Sequence, residues 1–170
     1  MKNKSLRMPV TCAVLAAMSV VLGKLLAINI GDTLRISFEN LPIILASLIL
    51  GPVWGALCGT VADLVGCFVR GFAVNPLITA AAGLMGVVPW VTAKKVFRSY
   101  KMYAVAASVV ISHVIVSLGV KTVALHLWYA TPYAALFASR GAVYAITAAL
   151  EAYLCALILK SGAVRKEFRI

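Results

Sequence analysis

In the run 103–127 the chain carries a single charged side chain, Lys121, and five further runs, at 8–28, 37–50, 53–69, 77–93 and 134–159, are almost as apolar. A helix that crosses a bilayer needs roughly 20 mostly apolar residues, and no open sheet edge survives in hydrocarbon. The pattern therefore predicts an all-α, polytopic membrane protein, one membrane domain over 1–170 built as a bundle of six transmembrane helices. Composition agrees, since 63% of the residues are hydrophobic and only 12% charged, against about 25% charged in soluble domains. The second run is short of spanning length and predicts a tilted or half-extended helix. It stops at Gly51-Pro52, because a proline opening a helix lacks only an N–H that would be orphaned there anyway.

Lys2, Lys4 and Arg7 ahead of the first run give it the look of a secretory signal. The run is too long for one and no small-residue cleavage site follows, so a retained first span is expected. The four cysteines, Cys12, Cys58, Cys67 and Cys155, all fall inside spans without metal-ligand spacing and read as small packing residues.

Basic residues orient the bundle. Lys and Arg accumulate in short cytoplasmic loops, and an even number of spans puts both termini on one side. Eleven of the sixteen cations then lie on the cytoplasmic side: Lys2, Lys4 and Arg7, Lys94, Lys95, Arg98 and Lys101, and Lys160, Arg165, Lys166 and Arg169. The net charge of +11 is thus mostly topological, with anionic lipids as sufficient partners and no call for nucleic acid. The other five, Lys24, Arg35, Arg70, Lys121 and Arg140, fall near the outward helix ends. A cation at mid-bilayer costs about 2.5 to 3.5 kcal/mol; outward anchoring explains some of these, and convergence of all five describes a pocket for an anion.

Two carboxylates lie deeper, Asp63 in the third run and Glu151 in the sixth. Each is either a buried acid satisfied by a neighbouring helix or an acceptor for a polar ring. Gly51, Gly55, Gly59 and Asp63 recur every fourth residue, a small-residue stripe that lets helices approach in lipid. Ala13 and Ala17 repeat the spacing in the first run. His113 reads as a histidine satisfied by a neighbouring helix. Trp128 and Tyr129, at the outward end of the fifth run, serve either as interfacial aromatics or as a stacking platform for a flat ligand; Asn75, before the fourth run, is a further polar candidate. No phosphate loop, His-Glu-x-x-His or nucleophile elbow is present, so no enzyme, cofactor or metal site is expected.

The segment 35–66, RISFENLPIILASLILGPVWGALCGTVADLVG, together with Ala13-x-x-x-Ala17, resembles the substrate-binding S components of energy-coupling factor (ECF) vitamin transporters, most of all the folate type. The resemblance implies a multi-pass protein of a prokaryotic cell membrane that binds folate or a reduced folate at its outward end. It also implies docking, through Ala13 and Ala17, onto an energising module of one transmembrane coupling protein and two ATPases. The loop bearing Arg35 would gate the site. Arg35, Arg70, Lys121 and Arg140 suit the glutamate tail, Trp128 and Tyr129 the pterin ring, and Asn75, Asp63 or Glu151 the donors on that ring. The fifth span departs from the folate pattern at Lys121-Thr122-x-Ala124, which leaves another anionic vitamin such as pantothenate as an alternative. The rival from another class is a small structural or channel protein.

Overall fold

The computed structural model describes residues 4–30, 34–99, 101–129 and 132–161. Eight α-helices lie among them: α1 (Lys4–Val20), α2 (Asn40–Leu50), α3 (Pro52–Arg70), α4 (Pro76–Met85), α5 (Val88–Val91), α6 (Met102–Ser112), α7 (Lys121–Tyr129) and α8 (Tyr133–Lys160). Some run on into one another. A π-helical turn, Val21–Leu25, extends α1, and a π-helical stretch, His113–Val120, joins α6 to α7. Five stretches are long and apolar enough to cross a membrane: Leu6–Gly23, Pro52–Arg70, Pro76–Val96, Met102–Trp128 and Leu136–Lys160. With α2 they make six rods, so the expected all-α membrane bundle is the architecture found.

One segment departs from it. Ile28–Ile30 (β1) and Leu34–Ile36 (β2) pair as an antiparallel hairpin, with Asn29 opposite Arg35. Both strands alternate apolar and polar residues, the period of a strand; β1 takes up Ile28, the last residue of the first run, and the rest of the hairpin lies between the first two runs.

The shortest rod is the centre of the molecule. Every residue of α2 except Ile49 is buried, and Ile44 and Leu48 pack with Met85, Val105, Val109 and Val116 in the core. A helix that is apolar on every face belongs inside a protein. Eleven residues suffice for α2 because neighbouring rods surround it. The outer faces are apolar as well: Val53, Phe68, Val114 and Phe137 are more than half exposed, as side chains meeting lipid would be.

Local chemistry sets the rod ends. Gly51 takes φ 102° between α2 and α3, and Gly71 closes α3 at φ 67°, its N–H reaching the carbonyls of Cys67 and Phe68; both are conformations open to glycine. Asn75 caps α4, its Oδ1 accepting from the N–H groups of Leu77 (3.0 Å) and Ile78 (3.4 Å). The stripe on α3 brings backbone against backbone: a Cβ on Gly55 would collide with the Gly86 carbonyl, and one on Gly59 with that of Ala82. Since the rods alternate in direction, the hairpin, the start of α2, the end of α3, the start of α4, the end of α7 and the start of α8 all gather at one end of the bundle.

Candidate functional site

At the hairpin end a polar cavity lies between α1, α2, α3, α4 and α7. Ser19, Glu39, Asn40, Asp63 and Lys121 supply its polar wall, and Val20, Ile43, Gly59, Ala62 and Ala82 the rest. Gly59 and Ala82 line it because the tight α3–α4 crossing brings bare backbone to its floor. The space is about 20 Å³, enough for about one water.

Two of the nominated residues face this cavity. Asp63, on the glycine face of α3, accepts a hydrogen bond on Oδ2 from Thr79 Oγ1 at 2.7 Å, and the same hydroxyl oxygen lies 3.1 Å from the Asn75 carbonyl. Thr79 thus joins Asp63 to the cap of α4. Lys121 opens α7 directly after the π-helical stretch and is only 8% exposed. Its Nζ lies 3.8 Å from Glu39 Oε1. The lining carries one cation and two carboxylates, Glu39 and Asp63, where the sequence predicts several converging cations.

The other candidates are dispersed. Glu151 is fully buried and lies off the cavity lining, its Oε2 2.6 Å from His113 Nε2. His113 Nδ1 in turn is 3.4 Å from Ser117 Oγ, so the reading of His113 as a histidine satisfied by a neighbouring helix describes its position. Arg140 donates from Nη2 to the Tyr144 hydroxyl at 3.0 Å, with its guanidinium over that ring. Tyr144 also lies against His113, ring centres 5.8 Å apart, so Arg140, Tyr144, His113 and Glu151 form a second polar group along the inner face of α8. Arg70 is half-buried in the last turn of α3, and Trp128 is exposed near the end of α7. The side chains of Arg35, Lys24 and Tyr129 lie outside the described residues. Ala13 and Ala17 are both exposed, one turn apart on the outer face of α1.

Several buried polar atoms have no partner among the described residues: Asn40 Oδ1, Asn75 Nδ2, Arg140 Nη1, Glu151 Oε1 and Ser47 Oγ. Unsatisfied buried groups are rare and costly, and three of them, on Asn40, Asn75 and Arg140, lie at the hairpin end. Sequence reasoning did not nominate Ser19, Asn40 or Glu39 as site residues. Glu39 and Asn40 lie beside Arg35 in the segment 35–66 that carries the family resemblance; Ser19 carries no signal, being one hydroxyl in an apolar run. A larger space, about 360 Å³, opens between the π-helical stretch and α8. Apart from His113 and Tyr144 its walls are apolar, and Val110 and Val114 on its rim are exposed, so it faces the lipid side.

A bundle of apolar rods around a buried central helix, with a polar cavity at one end, is the form of a small membrane receptor. Residues 7–161 match the family of ECF transporter substrate-specific components, and the chain belongs to that family: it is an integral membrane, substrate-binding subunit of a transporter and not an enzyme. Solved structures share its fold. FolT bound with folic acid is 24% identical, with 95% of this chain and 98% of that one covered at a TM-score of 0.74. The S-component for biotin from an ECF-type ABC transporter is 19% identical, with 99% of each chain covered at 0.73. ThiT from Listeria monocytogenes is 20% identical, with 95% and 97% covered at 0.70. Among curated proteins, the uncharacterized MG313 homolog of Mycoplasma pneumoniae is 33% identical over 90 residues. That match takes in 49% of this chain and 31% of the relative, so it spans about a third of the relative's length.

Proposed function

We propose that the chain captures a carboxylate-bearing vitamin of the folate type, folate or a reduced folate, at the hairpin end of the bundle and delivers it to an ECF energising module. The observation that carries this reading is Lys121, a lysine held 8% exposed at a polar cavity. An ammonium is not kept out of water in a membrane bundle without an anion to meet, and the Glu39 carboxylate, at 3.8 Å, is too far away to accept a full hydrogen bond from it, leaving capacity for a ligand's carboxylate. Asp63 and the unpartnered carboxamide oxygen of Asn40 offer acceptors for the amino and ring N–H groups of a flat head, and Lys121 offers a seat for a carboxylate tail. Similarity of fold to FolT bound with folic acid supports the choice of vitamin.

A drug-sized ligand fills about 300 to 1,000 Å³, far more than the cavity holds, so binding requires the connection around Glu39 to swing away from α7. Ala13 and Ala17, bare on α1, supply a smooth face for the coupling protein. The second reading is another anionic vitamin: the S-component for biotin matches as well in backbone as FolT does, and backbone similarity does not separate carboxylates of different ring systems. Purified protein titrated with folic acid should show a rise in melting temperature, and Lys121→Ala should weaken binding by about 1.5 to 3 kcal/mol, the range for a hydrogen bond to a charged group. Absence of any shift with folic acid, alongside one with biotin or pantothenate, would transfer the site to the second reading.

A further inference from the structure

The connection between the hairpin and α2 carries a carboxylate with an unusual set of neighbours. Glu39 stands just before α2 yet makes no capping hydrogen bond with its side chain. Its backbone is tied to α1, the carbonyl accepting from Ser19 Oγ at 2.6 Å. Its side chain lies against the π-helical turn of α1 at Gly23, where a built Cβ would come within 2.6 Å of both Cβ and Oε2 of Glu39. Residue 23 must lack a side chain for the carboxylate to lie there. From that position Oε1 faces Lys121 across the cavity at 3.8 Å, close enough for an ion pair and longer than a hydrogen bond. Lys121 is the more buried of the two, its side chain 10% exposed against 28% for Glu39, so Glu39 is the partner nearer to water.

We infer that Glu39 is a built-in competitor for the anion seat at Lys121: an anionic vitamin binds by taking the place of the Glu39 carboxylate at the ammonium. This rests on the reading that Lys121 receives the ligand's carboxylate, and it adds the residue that decides which ligands succeed. A neutral molecule has nothing to exchange for Glu39 and leaves the pair closed. A carboxylate replaces one counter-ion by another, so the buried lysine is never left alone. Because Ser19 and Gly23 hold Glu39, the exchange also reaches the end of α1, the helix that carries Ala13 and Ala17. Glu39 is thereby a specificity residue that acts through Lys121.

The test is a binding cycle on the full chain in detergent, with folic acid as the probe and biotin, also a carboxylate, in parallel. Glu39→Gln should lower Kd roughly two- to tenfold, the scale of a partly exposed ion pair, while lowering the melting temperature of the unliganded protein. Lys121→Gln should raise Kd, and in that background Glu39→Gln should change nothing. A structural ion pair alone would lower the melting temperature and leave Kd untouched. If Glu39→Gln does not fold, Gly23→Ala takes its place, since the added methyl displaces the carboxylate with its charge intact; Kd should again fall. An unchanged or higher Kd in the folded variant, or an equal gain without Lys121, overturns the inference. Wild-type protein that binds neither probe removes the anionic-vitamin reading as well, whereas wild-type binding that ignores Glu39 removes only this inference.

Discussion

Two buried polar groups divide the work at the residue scale. His113 and Glu151 meet at 2.6 Å in the interior, both under 3% exposed, and removing one member of such a pair leaves the other without compensation. His113→Ala should therefore destabilise the detergent-solubilised protein by about 3 to 5 kcal/mol in thermal unfolding, and His113→Leu with Glu151→Leu should recover most of that loss. Equal stability of the single and double variants would mean that the pair is not coupled. At the cavity Asp63 is held by Thr79. Asp63→Asn keeps a partner for that hydroxyl but removes the charge. If Asp63 reads N–H groups on the ligand head, Kd for folic acid should rise roughly tenfold, about 1.4 kcal/mol; an unchanged Kd would restrict Asp63 to packing. The candidate carboxylates were legible as two acids too deep in apolar runs to lie in lipid. Their separate partners were not, because Glu151 meets a residue 38 positions away and Asp63 one 16 positions away, and helical period carries no information on which faces meet.

Among the elements, hydropathy made the long rods visible, since lipid demands apolar side chains on the outside as well as the inside. It also marked α2 as too short to span; the burial of all its faces explains how so short a helix belongs in the bundle. The hairpin was hidden for the same reason that the spans were clear. Ile28-Asn29-Ile30 and Leu34-Arg35-Ile36 alternate as strands do, yet each is only three residues long and abuts an apolar run whose signal is stronger. The stripe on α3 was readable as a site of close approach, and its neighbours, the carbonyls of Ala82 and Gly86, give that approach a cost when filled. Gly59→Leu should lower stability by at least about 1 to 3 kcal/mol, because the added atoms meet backbone that cannot rotate away; a variant as stable as wild type would mean that α3 and α4 can slide. On α1, Ala13→Trp and Ala17→Trp point away from the core. Both should abolish vitamin uptake by cells that carry the energising module while leaving folic acid affinity intact, and unimpaired uptake would remove this face from docking.

For the molecule as a whole, the family and the fold are fixed by features spread over the entire chain, from apolar rods around a buried helix to a match over residues 7–161. On the proposed reading the ligand is set by a few side chains at one end, Lys121 among them, the position at which the sequence departs from the folate pattern expected by resemblance. The buried lysine paired with Glu39, beside acceptors on Asp63 and Asn40, would on that reading suit a small organic anion with a donor-rich head. The direct measurement is the near-ultraviolet absorbance of protein purified gently from folate-fed cells and then denatured to release what it carried. The account predicts a pterin spectrum in roughly one-to-one amount with the wild-type chain and its loss from Lys121→Ala. A clean protein spectrum from wild-type material that also shows no thermal shift with added folic acid would contradict it.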